Sequence, residues 1–297
     1  MMSLEKFVVL VYCLVDDLYR ATVGEVRLRA RGPTPRLHDV EVLTMELVGE
    51  FLGHHQDEKI WVYFCRHWRA WFPGLGDRSS FVKQAAALWR IKQLLRARLA
   101  GILGSFNDRH HLVDGIPMEV CVLGRAKRLQ SFRGLTATSV CAAKKTRYHG
   151  FKGHLLVTAD GLITDFTLTA ANVDERRAAL DLTDGVFGWW FGDKGYISAF
   201  FKSLLKEDSI QLDTPARKNM EDTCAPEERS VRMRVRRLIE TVIGQLTERF
   251  ELGVVRARRV MQLTARVERK LLAHTIAFAI NRMFGRDPLD FDGILAQ

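Results

Sequence analysis

Three acidic residues stand where the pattern of the chain would otherwise continue apolar. Asp114 ends the run "HLV". Asp193 follows the aromatic run "VFGWWF" as the second residue of "GDKGYIS". Glu240 sits inside the basic, helical stretch "RRLIETVIGQL". An ionised carboxylate at the edge of a core is costly unless something offsets its charge. A solvated turn could do so, and so could a metal ion. Hard divalent cations take oxygen ligands, and magnesium keeps several waters, so a few converging carboxylates suffice. A pair of such ions is suited to in-line displacement at phosphorus. The glycines flanking Asp193 allow a tight turn and a close approach of a phosphate backbone.

The elements that would position these groups are legible in outline. Residues 1 to about 104 read as helical, from "LHDVEVLTMELVGEFLG" through "DEKIWVYFCRHWRAWF" to "DRSSFVKQAAALWRIKQLLRARLAGIL". The last is capped at Asp77 or Ser79 and stops before Gly104. Short helices with tight turns fit a helix-turn-helix module or a plain bundle. The pattern then changes. "HHLVDGIPMEVCV" reads as a strand, a Gly-Pro turn and a second extended piece. "HLLVTADGLITDFTLT" reads as a hairpin, followed by a helix at "DERRAALDLTDG". Then come strand, helix, strand and a long helix. This order predicts a mixed sheet with helices on its faces, divided from the helical region near residue 106. The terminal helix "ARVERKLLAHTIAFAINRMF" is grouped with the sheet domain, 107–297.

Helical geometry limits what Glu240 can do. At about 100° per residue, Val231, Val235, Leu238, Val242 and Leu246 form one apolar stripe, with Ile239 and Ile243 at its edge. Glu240 points roughly 130° away, on the side of Met233, Arg236 and Thr247. That orientation fits a solvated pair with Arg236, or a carboxylate facing a ligand.

The chain carries 45 Lys and Arg against 35 Asp and Glu, a net +10. Such an excess favours a polyanionic partner, nucleic acid first among them. The five cysteines, Cys13, Cys65, Cys121, Cys141 and Cys224, form no CxxC pair. A disulfide framework and a structural zinc site are not expected, and a reducing cytoplasm is. The apolar start "FVVLVYCLV" is too short and too flanked by charge for a signal peptide or a membrane span.

Successive blocks then carry a resemblance. "VDGIP", "YHGFKGHLLVTADGLITDFTLTAANVDE", "FGDKGYIS", "PARKNM" and "RRLIETVIGQLTERFEL" occur in the order and spacing of bacterial insertion-sequence transposases of the DDE class. The resemblance implies an α/β, ribonuclease H-like domain with a mixed five-stranded sheet, preceded by an all-helical DNA-binding domain. It implies Asp114, Asp193 and Glu240 as catalytic residues and as ligands of two Mg2+ ions, with Mn2+ as a substitute. In that scheme Asp114 bridges both ions, and Asp193 and Glu240 hold one each. The implied partner is double-stranded DNA, both transposon ends and target, bound by a homodimer in the bacterial nucleoid. Arg236 matches the family's helix arginine, whereas Met233 and Thr247 replace an expected tyrosine and lysine. Lys194, Arg217, Lys218, Asn219, Arg236 and Arg237 are expected at DNA. Lys152 and His154 in "GFKGH" either line the site or decorate the hairpin. Alternatives are a DNA-binding protein without chemistry and a metal-dependent nuclease or recombinase on the same fold.

Overall fold

The computed structural model describes residues 1–23, 34–141, 145–216 and 226–295, with the backbone alone over 226–234. Packing divides the chain into two compact units. One comprises Met1–Leu99, Glu248–Leu252 and Ala257–Gln297; the other comprises Ala100–Thr247 and Gly253–Arg256.

The first unit is helical: α1 (Leu4–Val23), α2 (Asp39–Phe51), α3 (Asp57–His67), α4 (Arg78–Ala87) and most of α5 (Trp89–Ile102). Asp77 caps α4 by accepting from the Ser80 N–H at 3.0 Å. The stretch expected to form one helix from Asp77 onward breaks at Leu88, which separates α4 from α5.

The second unit contains β1 (His110–Cys121), β2 (Ala137–Cys141), β3 (Thr146–Thr158) and β4 (Ile163–Ala170). It continues with α6 (Glu175–Ala179), β5 (Gly188–Phe191), α7 (Ala199–Glu207), β6 (Ile210–Asp213) and α8 (Pro226–Gly244). The strand order is β2-β3-β1-β5-β6, and β4 also pairs with β3. β1, β3 and β4 are antiparallel neighbours, and β1, β5 and β6 run parallel. This is the mixed, helix-flanked sheet of a ribonuclease H-like domain, with β2 as a sixth short strand beside the first half of β3. Trp190, Leu156, Val113 and Leu205 are at the centre of its core. Trp189, one residue earlier on β5, faces outward.

β1 does not turn at Gly-Pro. It runs unbroken through Pro117, which pairs in register with Lys152 of β3. β5 pairs only with His110–Leu112, so the other edge of β1 is open by residue 117. A proline is tolerated on such an edge, where no ladder bond is needed.

The final helix, α9 (Val260–Met283), belongs with the N-terminal helices and not with the sheet domain. The reason is charge. From Leu263 to Asn281 it is buried nearly all round, and Glu268, Arg269 and Lys270 fall inside that run. Buried charges need partners. Arg269 reaches Glu50 and Asp57 at 2.7 Å each and Glu46 at 3.2 Å. Lys270 meets Glu50 at 3.0 Å, Lys92 meets Glu46 at 2.6 Å, and Arg96 meets Glu268 at 3.1 Å. The partners come from α2, α3 and α5, so the network ties the end of the chain to its beginning. Burial pushes the Glu50 carboxyl up, but Arg269, His55 and Lys270 outweigh it and hold the group at about 2.

Removing one partner of such a network leaves charge buried without compensation. Arg269→Met should therefore destabilise the protein by about 3–5 kcal/mol in urea unfolding. The exposed pair Arg249–Asp292 is different, and Asp292→Asn should cost under about 1 kcal/mol. The depressed Glu50 carboxyl adds stability that is present above its unfolded value near 4.5 and lost as pH falls toward 2. Glu50→Gln should flatten that acid limb of a stability-versus-pH curve.

Candidate active site

The strand register explains how two distant aspartates meet. β1 and β5 run parallel, and their last paired residues are Leu112 and Phe191. Asp114 and Asp193 each lie two residues further on. Neighbouring strands are about 4.8 Å apart, so continuing the register sets the two side by side. Two steps along a strand return a side chain to the same face. Asp114 is still within β1, opposite Leu155 of β3. Asp193 lies past the end of β5 and caps a short 3-10 turn at 194–196, its Oδ1 accepting from the Gly195 N–H at 2.7 Å.

Asp114 is partly buried, and its Oδ1 accepts from the Gly115 N–H at 2.7 Å. Its carboxyl is pushed up to about 7. Burial is the main cause, and the charges of Asp193 and Glu175 add to it. The Gly115 N–H and the Arg236 guanidinium oppose it without prevailing.

α8 packs on β1 and β5. Val235, Ile239 and Val242 form its buried stripe, continued by Leu246 in the π-helical turn Gln245–Arg249 that follows, so Ile239 is central and not marginal. Glu240 is exposed on another side and pairs with Arg236 at 3.4 Å, both more than half exposed. Arg236 is close enough to Asp114 for their charges to interact. Glu240 is thus on the helix that flanks the aspartates, yet its carboxylate is engaged by arginine. Arg237 is exposed on the same helix, and Lys194 is exposed beside Asp193. Arg217, Lys218 and Asn219 lie outside the described residues, as does the side chain of Met233. Thr247 turns its hydroxyl back to the Ile243 carbonyl at 2.8 Å.

Two groups near the aspartates were not evident from the sequence as site residues. Glu175, at the start of α6, accepts from Lys152 Nζ at 2.9 Å. Tyr196, three residues after Asp193, is fully buried, and its hydroxyl has no hydrogen-bond partner. An acidic residue in the first turn of a helix is routine, so Glu175 carried no signal. Lys152, half-buried on β3, is thus paired across to α6. His154 is buried, bonded through Nε2 to Thr169 at 2.9 Å, and its imidazole is lowered to about 4 by burial.

Among the described residues, no three His, Cys, Asp or Glu side chains are close enough together to enclose a metal ion. The donor set nevertheless fits a hard cation. It consists of carboxylate oxygens, one of them held protonated toward neutral pH chiefly by burial and further by neighbouring negative charge, beside a buried hydroxyl with no hydrogen-bond partner. Cation chemistry offsets that charge, provided the side chains close on one another.

A family model described as the transposase DDE domain matches residues 105–260, more than half of the chain. The chain belongs to that family. No significant match to a curated protein or to a solved structure accompanies it. The fold is the ribonuclease H-like one expected of a DDE transposase domain. No described helix is long and apolar enough to cross a membrane.

Because the folded chain holds a proton on Asp114 between about pH 4 and 7 while the unfolded chain does not, metal-free stability should fall as pH rises through that window. Thermal unfolding in a chelator, compared with Asp114→Asn, checks this. The variant should lack the decline.

Proposed function

We propose that this protein is a transposase that binds the ends of a bacterial insertion sequence, cleaves them, and joins the freed 3′-hydroxyls to target DNA. The observation that carries the reading is the parallel register that sets Asp114 beside Asp193. Asp114, Asp193 and Glu240 would hold two Mg2+ ions, for which Mn2+ could substitute. When bound, such ions activate an attacking oxygen and stabilise the leaving one.

The chain's own residues set the geometry. The β1–β5 seam holds Asp114 on a strand and Asp193 at the turn that follows one, so the scissile phosphate meets a preformed edge. Burial beside the sheet limits water at Asp114, which strengthens charge interactions there. Glu240 must leave Arg236 to join the aspartates, and a phosphate is the natural replacement partner for the arginine. Water attacks first and frees a 3′-hydroxyl. That hydroxyl then attacks a phosphodiester of the target, and no covalent protein intermediate is needed. Lys194, Arg236 and Arg237 would contact the DNA backbone, with Arg217, Lys218 and Asn219 in the same role. The helical N-terminus would read the ends. A homodimer would hold two ends together, acting in the cytoplasm at the nucleoid.

A second reading, a DNA-binding protein without chemistry, draws on one observation: Glu240 is paired with Arg236. Labelled inverted-repeat DNA incubated with the protein separates the two. Cleaved and joined products should form only with Mg2+ or Mn2+, and nicking without joining would instead mark a nuclease. Asp114→Asn, Asp193→Asn and Glu240→Gln should each abolish cleavage and retain end binding. A variant that cleaves at the wild-type rate removes its residue from the mechanism. If six to ten phosphates are neutralised, affinity should fall by about 10³–10⁵ between 50 and 200 mM salt.

A further inference from the structure

We propose that Glu175 is a further carboxylate ligand of the divalent-ion site, with Lys152 as the cation that holds its place in the metal-free chain. The inference rests on the transposase reading above. The two glycines that follow the aspartates form the cradle. A Cβ on Gly115 would lie 3.4 Å from Glu175 Oε1 and 3.4 Å from Lys152 Cδ. A Cβ on Gly195 would lie 2.7 Å from Glu175 Oε2 and 2.9 Å from Asp193 Oδ1. The absent side chains of Gly115 and Gly195 therefore leave the space that the Glu175 carboxylate occupies. Oε1 accepts from Lys152, and Oε2 is turned toward the turn that Asp193 caps.

Neighbouring acids are engaged elsewhere. Asp174 is bound by Arg176, and Glu240 by Arg236. Glu175 differs because its second oxygen borders the same glycine as Asp193 Oδ1. Like charges brought together in a partly buried site call for a cation. An independent sign comes from Tyr196. Its buried hydroxyl has no partner, and the charges of Glu175, Asp114 and Asp193 all reach it. A buried orphan hydroxyl within reach of carboxylate charge is completed by water or by a water-bearing cation.

The test is Mn2+ binding to the metal-free full chain, followed by the loss of the free-ion EPR signal, with DNA absent. Glu175→Gln should weaken Mn2+ binding by about tenfold or more. Glu175→Asp keeps the charge but withdraws it by one methylene, and should weaken binding as well. Lys152→Met removes the competing cation and should strengthen it. Wild-type affinity in both Glu175 variants, with Asp114→Asn still impaired, overturns the role of Glu175 and leaves the transposase reading standing. Equal weakening by Glu175→Gln and Lys152→Met also overturns it, because the pair would then be purely structural. Wild-type Mn2+ binding in Asp114→Asn overturns the site itself, and the proposal with it.

Discussion

Burial of Asp114, within β1, and its repulsion from Asp193, just past the end of β5, together hold its proton toward neutral pH. Much of the second unit can be understood from this one interaction. Parallel pairing ends at Leu112 and Phe191, leaving the two aspartates adjacent but beyond the ladder. Backbone N–H groups of Gly115 and Gly195 accommodate one oxygen each. Arg236 and Lys152 approach from α8 and β3 without cancelling the charge. A protein selected for stability alone would place apolar residues there. Retained repulsion of this kind is what a cation-dependent site requires.

The first unit solves an opposite problem. Its buried charges are matched acid to base, with Glu46, Glu50, Asp57 and Glu268 facing Lys92, Arg96, Arg269 and Lys270. Such a network adds little over an apolar core in net stability. It is strict about partners, because each helix must present its charge at the right level. α9 is thereby committed to α2, α3 and α5 despite the length of chain between them.

The sequence made some of this legible and hid the rest for physical reasons. The β3–β4 hairpin was readable because apolar runs flank "ADG" at hairpin spacing, and Asp77 was readable as a cap. Asp114 and Asp193 stood out because charge interrupts an apolar run. Glu240 could be placed on the exposed side of α8 from periodicity alone. Pro117 misled, since a local turn signal was overridden by pairing with β3. α9 misled as well, because "ARVERKLLAH" looks amphipathic until its charges find partners far away in sequence. Glu175 was invisible, since only the tertiary fold brings it against Gly115 and Gly195.

On the proposed mechanism, a divalent cation relieves the electrostatic burden on Asp114. Thermal unfolding of wild type and Asp114→Asn at pH 8, with and without Mg2+, addresses it most directly. The metal-free variant should melt above metal-free wild type, and Mg2+ should raise the midpoint of wild type only. A variant that melts lower than wild type and gains as much from Mg2+ would contradict it.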